Sequence, residues 1–277
     1  MDVTLAVIYH DPEGRLYEQL VHVLPVLTGI FGGLTVAASH VAYERSLALL
    51  ASAGALIERG PSDDAVEGAK LGRSRRTAVA LALQLDHPFV MYCDCDRVLH
   101  WADWHPEELA GVAARLERDL TVLGRTRRAF DSHPRVQRDT ETIINHMFTM
   151  VSGYAWDVTT GARGLSRRAA EAVLNGCPDE QVSTDVSWPL HILRTGGFSH
   201  SYVATEGLEF ETADRFGDEV TRAGGRTEWL AQLDADPRQW AHRLNLARIE
   251  VEGMLPYVQD STSRGEIGRR ESRGMRQ

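Results

Sequence analysis

The 277 residues are 43% hydrophobic and 25% charged, with a formal net charge of −9; this excludes a disordered or fibrous chain and leaves ample length for a core without staples. The acidic balance argues against a nucleic-acid binder, whose footprint is a basic face. Cys93, Cys95 and Cys177 make no disulfide framework and no stretch approaches the ~18 apolar residues of a membrane span, so a cytoplasmic protein without a transmembrane segment is expected.

Residues 3–9 (VTLAVIY) are apolar and β-branched and end at His10-Asp11-Pro12, the pattern of a buried strand reaching a loop. Leu16, Leu20, Val23, Leu24 and Leu27 recur at helical spacing over 14–28, a second apolar run covers 34–38, and another helical pattern covers 42–53. Residues 55–58 read as a third strand, 65–85 as a helix with Leu71, Ala78, Leu81, Ala82 and Leu85 on one face, and 89–95 as a strand. Strands alternating with helices predict an α/β fold with a mostly parallel central sheet and helices on both faces. Ligands of such sheets sit beyond the carboxyl ends of the strands.

Further along, the spacing predicts a helix over 105–118 with Pro106 at its start and a strand over 120–125. A helix over 139–151 capped by Asp139 or Thr140 is expected next, then a strand over 156–160 and a helix over 166–175 capped by Ser166. Residues 184–194 read as a helix closed by Gly196-Gly197, and 198–211 as extended. Asp236-Pro237 is an N-cap and N1 pair for a final helix to about residue 252, while 261–277 holds almost nothing apolar and reads as a disordered tail.

Chemistry concentrates where Val90-Met91-Tyr92-Cys93 runs into Asp94-Cys95-Asp96. If the strand continues, its alternation turns both aspartates to one side and both cysteines to the other. Two carboxylates at a strand's carboxyl end supply hard oxygen ligands for Mg2+ or Mn2+, which in turn bridges phosphate oxygens. The plain alternative is a pair of aspartates that cap the next turn. Upstream, Lys70, Arg73 and Arg76 are spaced three apart on one helix face. They are either a solvated amphipathic face or cations that meet the phosphates held by such a metal.

With this order of features the chain resembles GT-A glycosyltransferases, which move a sugar from a nucleotide-sugar donor. The resemblance covers residues 1–215 and rests on the strand-helix-strand opening, the basic helix, the D-x-D motif Asp94-Cys95-Asp96, the stretch from Asp157 through Gly161-Ala162-Arg163-Gly164 to Arg167-Arg168, and Ser183-Thr184-Asp185 opening the next helix. It implies a Rossmann-like catalytic domain over 1–215, with a nucleotide-binding half over 1–96 and an acceptor half over 97–215, followed by a helical C-terminal extension over 216–260 that covers the acceptor or forms a homodimer surface. It further implies a nucleoside-diphosphate sugar donor contacted by Tyr9, His10, Ser39, Lys70, Arg73, Asp94, Arg163 and Gly164. Asp94, Asp96 and a later acid would hold Mg2+ or Mn2+. That later acid stands where the family has a metal-binding His; it is Glu209 or Glu211, with Glu209 favoured. Asp185 is the expected catalytic base or a helix cap, with Gly161 and Trp188 on the side of a small-molecule, glycan or lipid-linked acceptor.

The chain departs from the family at Ser39-His40, where inverting members carry a base- or ribose-binding aspartate. A haloacid-dehalogenase-like phosphohydrolase also places D-x-D after a buried strand, but Arg97-Val98 replaces its Gly-Thr. A non-catalytic nucleotide-binding domain of the same fold is the remaining alternative.

Overall fold

The computed structural model describes residues 2–61 and 71–258; Lys70 and the tail over 261–277 lie outside them. The chain runs β1 (Val3–Tyr9), α1 (Tyr17–Ile30), β2 (Gly33–Ala38), α2 (Glu44–Ser52), β3 (Leu56–Arg59), α3 (Leu71–Ala82) and β4 (Phe89–Cys93). Next come α4 (Cys95–Trp104), α5 (Pro106–Ala114), β5 (Leu120–Arg125), α6 (Arg127–Asp131), α7 (Arg135–Ser152), β6 (Ala162–Ser166), α8 (Arg167–Gly176), α9 (Thr184–Thr195) and β7 (His200–Thr205). Four helices close it: α10 (Thr212–Arg215), α11 (Gly217–Ala223), α12 (Arg226–Ala235) and α13 (Pro237–Met254).

Among the described residues seven strands form one sheet in the order β3-β2-β1-β4-β6-β5-β7. Every pairing is parallel except those of β6, which runs antiparallel to both β4 and β5. Side-chain alternation sends Val3, Leu5, Val7 and Tyr9 into one core with α1, α2, α4 and α5. Ala6, with Val90 and Tyr92 of β4, enters a second core with α3, α7, α8, α9 and α13. The mostly parallel α/β sheet with helices on both faces is thus the architecture expected. Because β6 is reversed, its first residues lie beside the carboxyl end of β4, with Ala162 opposite Cys93 and Arg163 opposite Tyr92.

Local chemistry sets most of the boundaries. The Ser166 side chain accepts from the Ala169 amide at the start of α8, and the Asp236 side chain accepts from the Arg238 amide behind Pro237. Three expectations are corrected. The strand read over 156–160 is absent: Asp157 is drawn away by Arg125, Gly161 turns the chain at φ +61°, and the strand begins at Ala162. The helix read from 139 begins at Arg135, after Pro134. The strand read to residue 95 ends at Cys93, because Asp94 is already the N-cap residue of α4. Among the described residues no helix is long and apolar enough to cross a membrane.

A buried ion-pair network ties β5 to α7 and to Asp157. The Arg125 guanidinium donates to Asp157 at 2.7 Å and to Glu141 at 2.7 Å. Against the upward push of burial, the Arg125 charge draws the Asp157 carboxyl down to about 2. A depressed carboxylate stabilises the fold fully above its ordinary value of about 4 and loses that contribution as pH falls through the native value. Asp157→Asn is therefore expected to cost about 3 kcal/mol at neutral pH, since it leaves a buried guanidinium short of a partner. Urea unfolding of the two proteins should converge as the pH is lowered from 5 towards 2; a gap that stays constant contradicts this account.

Candidate active site

The carboxyl ends of β1, β2 and β4 and the reversed start of β6 meet in one place, and Asp94 stands at its centre. The Asp94 amide donates to the Gly161 carbonyl at 3.1 Å. Its side chain accepts from the Tyr92 hydroxyl and, at 3.1 Å, from Arg75. A Cβ on Gly161 would lie 2.4 Å from Asp94 Oδ2. Glycine is thus required there by the approach of the carboxylate as well as by the positive φ.

Asp96 is the second residue of α4, in its first turn, and half-buried. Burial, then the carboxylates of Glu211 and Asp94, push it up to about 7. Glu211 is buried, its Oε1 3.9 Å from Arg97 Nε, and its Oε2 has no partner among the described residues. Three acids thus crowd one spot with incomplete neutralisation. Among the described residues no three His, Cys, Asp or Glu side chains form a ready-made cation cage, so protein oxygens alone do not complete a coordination shell. Mg2+ is commonly bound through one or two carboxylates together with substrate phosphates and water.

Asp94 lines two cavities. One, of about 190 Å3, is bordered by His10, Asp94, Asp96 and Arg215. Ser39 Oγ lies 2.9 Å from His10 Nδ1 and fixes the ring, while burial and the nearby Arg215 charge hold His10 below its usual range. Arg215 donates to the His10 carbonyl at 3.1 Å, and its Nε is unpartnered among the described residues. The second cavity, of about 140 Å3, lies on the other side of Asp94, bordered by Arg75, Arg97, Glu141, Asp185, Arg243 and Glu250. Arg97 Nη1 is buried there without a partner among the described residues, and Arg243 donates to Gln137 at 2.8 Å.

Arg75 joins the two halves. It is 2% exposed and contacts Asp94 at 3.1 Å, Asp185 at 2.8 Å and the Thr184 hydroxyl at 3.1 Å. Arg163 adds a second clamp on Asp185 Oδ1 at 2.5 Å and donates to the Thr184 carbonyl at 2.7 Å, its guanidinium 5.2 Å over the Trp188 ring. Asp185 is therefore held by two guanidiniums at the start of α9, on the wall of the second cavity.

Several expected positions fall elsewhere. Alternation along β1 buries Tyr9 in the core at 1% exposure, where its hydroxyl donates to Asp11, so its side chain is not a donor contact. Trp188 is fully buried against Tyr92 and offers no stacking face to an acceptor. Gly164 lies inside β6 and packs on Leu116, where a Cβ would come within 2.5 Å. Arg73 pairs at the surface with Glu180 at 3.4 Å. Arg76 closes the end of α8 by donating to the Cys177 and Leu174 carbonyls. Arg163 is spent on Thr184 and Asp185, leaving no free fork for a substrate phosphate.

Glu209 belongs to a different cluster. It accepts from Arg128 at 2.6 Å and lies 3.1 Å from His105 and 3.4 Å from His100. Against burial, the bonds from Arg128 and His105 lower its carboxyl to about 2. The strand ends at Thr205 and a turn follows, so alternation counted back from Phe210 does not decide which acid faces Asp96. Sequence reasoning passed over Arg75, Arg97, Arg215, Arg243 and Glu250. Only Arg75 and Arg97 carried a signal, as neighbours of motifs already singled out.

No family model matches the sequence, and no curated protein matches it. The fold is similar to that of a solved structure of glucosyl-3-phosphoglycerate synthase from Mycobacterium tuberculosis in complex with Mn2+, uridine diphosphate and phosphoglyceric acid. The TM-score is 0.54 at 14% identity over 94% of this chain and 80% of that one. Another structure of that enzyme gives 0.53 at 13% identity over 94% and 82%. A third, with glucosyl-3-phosphoglycerate, uridine diphosphate and Mn2+, gives 0.52 at 11% identity over 94% and 81%. The fold of this chain is the GT-A glycosyltransferase fold.

Proposed function

We propose that this chain is a divalent-cation-dependent glycosyltransferase that moves a sugar from a nucleoside-diphosphate sugar to a hydroxyl of a small anionic acceptor. The observation that carries the reading is Asp94 as the shared wall of two cavities, with Asp96 and Arg215 on one side and Arg97 and Arg243, among Glu141, Asp185 and Glu250, on the other. The fold neighbours bind uridine diphosphate, Mn2+ and phosphoglyceric acid, which favours a uridine nucleotide and an acidic acceptor here. A cavity of about 140 Å3 suits a small molecule better than a glycan or lipid-linked acceptor. Three free, buried cysteines accord with a reducing, cytoplasmic setting.

Asp94 and Asp96 would hold Mg2+ or Mn2+ on the donor side, and Glu211, with its unpartnered oxygen, takes the place first given to Glu209. The cation supplies electrostatic stabilisation of the leaving diphosphate. Arg215 faces the same space and offers its charge to the phosphates, while His10, oriented by Ser39, borders the nucleotide. Arg75 fixes Asp94 on one flank and Asp185 on the other, so the donor and acceptor sides are held at one separation. Asp185 has one oxygen shared by two guanidiniums; we assign it the ordering of Arg75 and Arg163 beside the acceptor, in place of the catalytic base.

Titration calorimetry with uridine diphosphate tests the reading. Binding is expected with Mn2+ present and is expected to fall at least about tenfold on its removal by chelator. Equal affinity in both conditions, or phosphatase activity with no nucleotide affinity, would overturn it.

A further inference from the structure

The C-terminal helix supplies chemistry to the acceptor cavity as well as cover. Arg243, Leu246 and Glu250 all border it, and their spacing of three and four residues puts them on one face of α13. Glu250 is 3% exposed, and its Oε2 is buried with no partner among the described residues. An unpaired buried polar oxygen is costly, and this one borders a cavity whose other walls are the residues that flank Asp94.

We infer that Glu250 is an acceptor-binding residue that hydrogen-bonds a hydroxyl of the acceptor, while Arg97 and Arg243 take its anionic group. This rests on the glycosyltransferase reading and adds a recognition element from the C-terminal helix. The division of labour follows from the charges. Arg97 and Arg243 share a cavity of about 140 Å3 with Glu141, which lies 3.8 Å from Arg243; Arg97 Nη1, without a partner among the described residues, is the donor open to an anion there. Glu250 faces the Asp185 carboxylate as well as Arg75 and Arg163; burial and Asp185 push its carboxyl well above the usual range. In the neutral form Glu250 presents an O–H donor and a carbonyl acceptor to a ligand hydroxyl without repelling an anionic neighbour. Gly253 sets the distance: a Cβ there would come 2.4 Å from the Ser183 side chain, so α13 lies close against the segment that leads into α9.

The test is calorimetric titration of the full chain, loaded with uridine diphosphate and Mn2+, with phosphoglycerate and with the same phosphorylated acid lacking the free hydroxyl. Wild type is expected to bind phosphoglycerate about tenfold more tightly than the deoxy analogue, the usual worth of one buried hydrogen bond. Glu250→Leu should erase that difference and leave the affinity for uridine diphosphate unchanged, and Glu250→Gln, which keeps a donor and an acceptor, should retain most of it. The inference fails if wild type does not discriminate the two acids, if it binds neither, or if Glu250→Leu still discriminates them. In each of those cases Mn2+-dependent nucleotide binding, measured beforehand in the same cell, would leave the donor reading standing. Should Glu250→Leu not fold, the wild-type comparison and Glu250→Gln decide the question alone.

Discussion

Asp94→Asn is expected to abolish Mn2+-dependent binding of uridine diphosphate while leaving a folded protein. Tyr92 and Arg75 donate to different oxygens of Asp94, so asparagine keeps an acceptor for one of them and removes the charge that a hard cation requires. Loss of a mere outer-shell partner of a metal costs about 10- to 100-fold in affinity, so loss of a ligand should exceed about 100-fold. Arg75 would still be paired with Asp185 at 2.8 Å, and the melting midpoint should fall by no more than a few degrees. Asp96→Asn should weaken nucleotide binding likewise, with less effect on stability, because Asp96 accepts only the adjacent Arg97 amide among the bonds observed. Scanning calorimetry beside the titrations distinguishes the cases. If Asp94→Asn unfolds the chain, or if it binds nucleotide as the wild type does, the aspartates are structural caps.

The second large effect is on the fold. Arg75→Met should destabilise the protein by about 3–5 kcal/mol, the cost of removing one partner from a buried ionic cluster. Two carboxylates depend on Arg75, which is 2% exposed. For a chain of this size that corresponds to a melting midpoint lower by roughly 10 °C. Arg75→Lys should recover little, because one ammonium cannot reach Asp94, Asp185 and Thr184 together as a planar fork does. The surface variant Arg73→Met serves as the control, since Arg73 pairs with a half-exposed Glu180 and exposed pairs contribute only about 0–1 kcal/mol. Equal melting points for the Arg73 and Arg75 variants would refute the account of Arg75 as the brace between the two cavities.

The two arginines mark how far the sequence could be read. Periodicity in α3 identified a helix with a basic half, but Arg73, Arg75 and Arg76 differ only in the direction each leaves the axis. Which direction points to the sheet depends on how α3 lies over β1 and β2, and that contact is made by residues far away in the chain. The same limit applies to Glu209 and Glu211. A two-residue alternation places them together only if the strand persists, and the turn after Thr205 ends it.

What the sequence by itself determined is local: apolar runs that must be strands, caps such as Ser166 and Asp236-Pro237, and a D-x-D pair at the end of a buried strand. Those features depend on neighbours within a few residues, so the chain displays them directly. Only the tertiary structure decided that Arg75 braces Asp94 and Asp185, that Gly161 makes room for Asp94, and that Arg243 and Glu250 return to the site from α13. Those roles depend on which surfaces meet when two cores pack on opposite faces of one sheet, and separation along the chain carries no information about that meeting.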